Sequence, residues 1–430
     1  MSSLLKRDQK IIWHPYTQEK TASPVVGVKY AKGSYIYDEQ DKPYLDLISS
    51  WWVNIHGHAH PNIAEAIYKQ ALNLEHVIFA GFTHTPAVTL CEDLQEILPA
   101  ELNRFFFSDN GSTAVEVALK MAYQYWQNSD QEKPIFLSFA GSYHGDTFGA
   151  MSVGKNSGFH QNFAKLLFKV LTIPYPDTWL DDNEIEQKEQ IALAQLQEYL
   201  QEYKDKIAAL IIEPLIQGAS GMRICRPEFL KKVIRKVREH DILLIFDEVM
   251  TGFGRTGTYF ALDQLCITPD FLCLSKGLTG GFLPLALTVT SNKIYEKFLT
   301  DQWKHAFAHG HSYTANPIAC SAAIASLKLL KSQSTQNSIE TINQSHRRGT
   351  DYLQANCHNL EYFRALGTIL AFNIKNDDLN INQKLKSAFL EAGLLLRPLG
   401  KTIYLLPPYS VTSIELEDTY QRIGEIVNKV

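Results

Sequence analysis

The segment 242-ILLIFDEVMTGFGRTGTYFALDQLCITPDFLCLSKGLTGG-281 carries the reading on which the fold turns. Two short apolar runs, Ile242 to Phe246 and Phe271 to Leu274, are bounded by turn signals and have the length of buried strands. Each ends on a charge that an apolar strand does not ordinarily carry. Asp247 follows the first, and Lys276 comes just after the second. Groups at the carboxyl ends of parallel strands face the crevice where open α/β sheets bind ligands.

An acid and a lysine brought to one crevice suit a pyridoxal phosphate enzyme, the lysine as Schiff-base former and the acid on the pyridinium nitrogen. The same residues also allow a plainer reading, with Asp247-Glu248 on a Mg²⁺ ion in a nucleotide site and Ser275-Lys276-Gly277 an exposed turn. The neighbouring segments bear on that choice.

Upstream, RFFFSDNG (Arg104 to Gly111) reads as a strand and turn, and Ser112 to Trp126 carries apolar residues at helical spacing. Gly111 and Ser112 therefore stand where a strand hands over to a helix, with free N–H groups and the positive dipole end available to an anion. Ordinary N-capping explains the same residues equally well. Pro134 to Phe139 is another strand and runs into AGSYHGDTFGAMSVG, whose loop presents Tyr143 and His144; Tyr143 could stack on a planar ligand or simply pack. IAALIIEPLIQGASG gives a strand ending at Glu213, and Pro227 opens an amphipathic helix. This alternation from Arg104 to Leu287 predicts an α/β domain with a largely parallel sheet.

Tyr30 to Asp46 reads as a β-hairpin or meander, followed by SSWWVNIHGHAHP, a polar loop whose two adjacent tryptophans suit a pocket wall or a plain packing role. The polar run Ser332 to Ser345 is a connection or a solvated helix, and beyond it short strands and two helices predict a smaller α+β unit. The expected division is 1–52 and 328–430 in the small domain and 53–327 in the large one.

The chain has 430 residues, with Lys+Arg 41 against Asp+Glu 46 and a net charge of −5. That balance is too mild for a nucleic-acid or anionic-membrane partner. No apolar run approaches the ~18 residues of a membrane-spanning helix. The N-terminus lacks the apolar core of a signal peptide. Six cysteines without a CxxC pair point to reduced thiols, so a cytoplasmic enzyme is expected. His56, His58 and His60 alternate, as do His309 and His311, but alternation alone does not build a ligand set and no metal is expected.

Taken together, SDNGST, GSYHGDTFGAMSVG, IIEPLIQGASGM, LLIFDEVMTGFGRTG, PDFLCLSKGLTGG and HGHSYTANPIAC resemble the class III aminotransferases of the fold-type-I pyridoxal phosphate superfamily. Three further patches, WHPYTQ, SSWWVNIHGHAHP and RPLGKTIYLLPPY, resemble the branch of that family that aminates 8-amino-7-oxononanoate in biotin synthesis.

The resemblance implies a mostly parallel sheet flanked by helices, with a small α+β domain built from both termini. It implies pyridoxal 5'-phosphate as cofactor, with Lys276 bonding its aldehyde carbon and shuttling a proton. Asp247 should hold the ring nitrogen, Tyr143 the ring face, and Gly111 and Ser112 the phosphate. Ser312 should contact the phosphate of a neighbouring subunit, which implies a homodimer with its active site at the interface. Tyr16, Trp51, Trp52, Gly310 and Arg397 should bind the keto acid, Arg397 at its distal carboxylate, with Arg255 and Asp146 as further pocket residues. Other ω-aminotransferases, acting on ornithine or 4-aminobutyrate, and an aminomutase of the same fold share the core motifs. The residues leave the amino donor open between S-adenosylmethionine and lysine.

Overall fold

A computed structural model describes residues 3–23, 25–154 and 160–430. Its centre is a seven-stranded sheet in the order Arg104–Ser108, Ala286–Thr290, Phe271–Leu274, Leu243–Asp247, Ile207–Ile212, Ile135–Phe139, Val170–Ile173. Six strands run the same way, and Ala286–Thr290 is antiparallel to both of its neighbours. Every residue of Leu243–Asp247 and Ile207–Ile212 is buried, as expected of strands covered on both faces.

The two faces divide the side chains by parity. Leu243 and Ile245 pack with the helix Gly111–Gln127, whereas Leu244 and Phe246 pack with the helix Pro227–Arg238. Truncating a residue so enclosed, such as Phe246→Ala, costs about 3–5 kcal/mol.

Asp247 is the last paired residue of its strand, opposite Cys273, rather than a residue beyond it. The carboxyl ends of five co-directional strands thus converge on one edge. They deliver Asp109 to Ser112, Tyr143 and His144, Glu213, Asp247, and Lys276 to that edge.

The N-terminal strands Val28–Lys32, Tyr35–Asp38 and Pro43–Asp46 form the expected antiparallel meander, and Pro43–Asp46 pairs in parallel with Leu394–Leu395 from the other end of the chain. Another sheet, Leu360–Leu366, Ile369–Ile374 and Thr402–Leu405, packs with the helix Gln333–Asn356, which in turn packs with the helix Ser413–Val427. The polar run at Ser332 is helical: Ser332 caps Gln333–Asn356, and Ile339, Ile342 and Leu353 bury one stripe of it. The helix Pro317–Leu330 runs past residue 327, so the expected large-domain limit falls within its last turn. Among the described residues no helix is long and apolar enough to cross a membrane.

Candidate active site

The strand ends enclose a cavity of about 530 Å³ whose walls include Gly111, Ser112, Tyr143, His144, Glu213, Asp247 and Lys276. Asp247 is 5 % exposed. Its Oδ1 accepts the Val249 N–H at 3.1 Å, and its Oδ2 lies 2.7 Å from His144 Nδ1. A carboxylate can only accept, so Nδ1 carries the proton of that bond. His144 Nε2 is buried and has no partner among the described residues.

Lys276 sits at φ +45, a strained left-handed position in the turn Lys276–Thr279. Its Nζ lies 4.6 Å from the centre of the Trp52 ring. Burial pulls its ammonium down to about 8, against the opposing pull of Asp247 and Glu213. Burial lifts the Glu213 carboxyl to about 7, opposed by His144 and reinforced by Asp247. Glu213 holds the loop walls in place, its carboxylate accepting the N–H groups of Tyr143 and Gly218, each at 3.0 Å.

The helix Gly111–Gln127 is capped by its neighbours: Asn110 Oδ1 accepts from Thr113 N–H, and Thr113 Oγ1 accepts from Asn110 N–H, both at 3.1 Å. This reciprocal cap leaves the Gly111 and Ser112 amides at the cavity wall for an anion. A Cβ on Gly111 would stand 2.6 Å from Val249 Cγ1, and one on Gly145, at φ +123, would strike the Ser112 side chain. Small residues therefore let the loop close on the helix end, where the Asp146 N–H donates to Ser112 Oγ at 3.1 Å. An anion cradle, a buried acid, an accessible amine and the Tyr143 ring in one cavity fit pyridoxal phosphate.

A second chamber of about 480 Å³ shares Trp52, Tyr143 and Lys276 with the first and adds Tyr16, Trp51, Asp146, Arg397 and Tyr404. The Tyr16 hydroxyl donates to Asp146 Oδ2 at 2.5 Å and lies 3.1 Å from the Tyr143 hydroxyl. Burial and the Asp146 carboxylate push the Tyr16 phenol up to about 12, so it stays a donor at neutral pH. Trp51 meets Tyr16 edge-on at 5.5 Å and carries the Arg397 guanidinium on its face at 4.3 Å. Trp52 Nε1–H donates to Tyr404 Oη at 3.0 Å.

Both tryptophans belong to the turn Ser49–Trp52, in which all four residues have positive φ, between 45 and 75. Such a conformation costs roughly 1–2 kcal/mol per non-glycine residue and rarely runs beyond one.

Of the residues expected from the sequence, Lys276, Asp247, Tyr143, Gly111, Ser112, Tyr16, Trp51, Trp52, Arg397 and Asp146 line one chamber or both. Arg255 lines neither. It is 1 % exposed, and its guanidinium donates to the carbonyls of Pro407, Trp52 and Asn54 from behind the wall. Gly310 and Ser312 lie on an exposed loop outside both chambers. His144 and Glu213 also line the cavity, beyond the residues expected from the sequence. The signal for Glu213 was the one used for Asp247, a charge closing an apolar strand.

Residues 16–427 match the family described as aminotransferase class-III. The chain is 50% identical to adenosylmethionine-8-amino-7-oxononanoate aminotransferase of Synechococcus elongatus over 97% of its own length and 99% of that protein's. It is 38% identical to the enzyme of the same name from Helicobacter pylori, over 100% and 98% of the two chains. The crystal structure of the Methanocaldococcus jannaschii enzyme of that name superposes with a TM-score of 0.92 at 33% identity, covering 99% of each chain. An omega transaminase from Pseudomonas jessenii, solved in complex with PMP, superposes with a TM-score of 0.92 at 26% identity, covering 100% of this chain and 98% of that one. With the strand-end acid, the recessed lysine and the helix-end cradle in one cavity, and a match over nearly its whole length, the chain belongs to the class-III aminotransferase family.

Proposed function

We propose that this protein transfers an amino group to 8-amino-7-oxononanoate, giving 7,8-diaminononanoate for biotin synthesis, with S-adenosylmethionine as donor and pyridoxal 5'-phosphate as cofactor. The observation that carries the reading is that Lys276 and Arg397 line one chamber walled by Tyr16, Trp51 and Trp52. An amine at the reacting position and a guanidinium across apolar walls suit a substrate with a ketone and a distant carboxylate. The printed names of the relatives support the same substrate.

When bound, the cofactor supplies an electron-withdrawing ring that carries the amine between the two substrates. Asp247, held by His144, would pair with the ring nitrogen and keep it protonated. Lys276, its pKa drawn down by burial, would hold the cofactor at its aldehyde end and, as a free amine at mildly alkaline pH, could accept and return a proton. Gly111 and Ser112 would hold the phosphate, and Tyr143 would lie against the ring. Tyr16, hydrogen-bonded to Asp146, walls the chamber. Arg397 pairs with the keto acid's carboxylate.

Two copies form the working unit in this reading, with Ser312 of the exposed loop serving the neighbouring copy's phosphate and Gly310 its keto acid. The protein is cytoplasmic, and the small domain comprises 1–52 and 328–430 around a large domain of 53–327. The pairing of Pro43–Asp46 with Leu394–Leu395 supports that division.

A product assay tests the function. Diamine should form from 8-amino-7-oxononanoate only with S-adenosylmethionine present, and not with ornithine or 4-aminobutyrate in its place. Conversion without any donor would mark an aminomutase and defeat the reading.

A further inference from the structure

The turn Ser49–Trp52 poses a physical problem: four successive non-glycine residues hold left-handed backbone, and two of them are the tryptophans of the substrate chamber. Neither serine nor tryptophan favours that region, so something outside the turn must hold it.

Asp46 does. Its carboxylate is fully buried. Oδ1 accepts the N–H groups of Ile48 at 3.2 Å and Ser50 at 3.0 Å. Oδ2 accepts the Ser50 hydroxyl at 2.8 Å and lies 2.9 Å from His58 Nε2. Among the described residues no lysine or arginine shares this carboxylate. Its hydrogen-bonding capacity is spent on the turn and on His58, which pairs with Gly33 on the other side. From within the turn, Ser49 Oγ–H adds one bond to the Leu406 carbonyl at 2.7 Å.

The two indoles depend on this clamp to different degrees. Trp52 is also held by its Nε1–H bond to Tyr404 and by Arg255 on its carbonyl. Trp51, among the described residues, has ring contacts with Tyr16 and Arg397 and no hydrogen bond from its indole. Loosening the turn therefore falls on Trp51, the platform on which the Arg397 guanidinium lies.

We propose that Asp46 is a positioning residue for substrate specificity: its carboxylate holds the left-handed turn that sets Trp51 beneath Arg397, and so places the carboxylate-reading end of the chamber. The proposal rests on the function proposed above for its substrate, but the backbone dependence stands apart from it.

Asp46→Ala should raise the KM for 8-amino-7-oxononanoate about tenfold or more, the effect of losing a buried, bonded acceptor, while kcat stays within about threefold. Amide exchange of the 48–54 peptide, read by mass spectrometry on the full protein, should quicken by a similar factor, with other peptides unchanged. Adding Ser50→Gly, which takes positive φ without strain, should restore both readouts toward wild type.

Unchanged exchange and KM in Asp46→Ala would overturn the proposal. So would a joint loss of KM, kcat and global protection that Ser50→Gly does not rescue. Should Asp46→Ala fail to fold, Ser50→Ala removes only the hydroxyl bond, and a KM unmoved by it has the same consequence. A wild-type protein that does not aminate the keto acid would sink the proposed function, while the exchange experiment would still decide whether Asp46 holds the turn.

Discussion

His144 Nδ1 and Asp247 Oδ2 stand 2.7 Å apart in the buried floor of the cofactor cavity, joining residues 103 positions apart in sequence. The imidazole holds the carboxylate in one rotamer, and the Val249 N–H fixes its other oxygen. In the proposed reading a cofactor nitrogen would meet an acid already oriented. Removing His144 leaves a buried carboxylate short of a donor, at a cost of about 1–3 kcal/mol. His144→Ala should accordingly slow the chemical step by up to about a hundredfold while pyridoxal phosphate still binds. Stopped-flow single turnovers check this, and a wild-type rate would remove His144 from the site.

The Lys276 amine should set the pH dependence of cofactor capture. Burial lowers its pKa from the ordinary 10.5 to about 8, so the proton leaves near that pH rather than two units higher. Only the free amine attacks an aldehyde. Uptake of pyridoxal phosphate by the cofactor-free protein should therefore quicken as pH rises and level off above about 8. A rate still climbing at pH 10 would show that the lysine is not desolvated.

Arg397→Ala should weaken keto-acid binding by roughly 2–5 kcal/mol, with the amino-donor half-reaction affected less. Separate half-reaction kinetics distinguish the two. Equal damage to both would mean that Arg397 does not read the carboxylate.

Asp247→Asn keeps the shape of the side chain but loses the charge proposed to hold the ring nitrogen protonated. Turnover should fall by about two orders of magnitude or more; the amide keeps both contacts only with its oxygen on the Val249 N–H, its NH2 on His144 Nδ1, and the imidazole proton moved to Nε2. A near-normal rate would move the ring nitrogen away from Asp247.

What could be read from sequence was local. Asp247, Lys276 and the Gly111-Ser112 helix start announce themselves because a charge or a glycine interrupts an apolar strand at its carboxyl end. The long-range pairings were hidden. Nothing near His144 names Asp247 as its partner, and nothing in Arg255 shows that it faces backbone carbonyls rather than the pocket. The Ser49–Trp52 turn contains no glycine to signal positive φ, since its conformation is imposed by Asp46. The helix Gln333–Asn356 was obscured because its buried stripe is thin and partly polar, including His346, which lies 2.9 Å from Tyr420 Oη.

The central claim is that Lys276, facing Asp247 across one cavity, is the amine that takes the cofactor. Reducing the pyridoxal phosphate-loaded protein with borohydride and mapping the peptides by mass tests it most directly. The account predicts a single stable pyridoxyl adduct on Lys276, lost in Lys276→Ala together with turnover. An adduct on another lysine, or none, would contradict it.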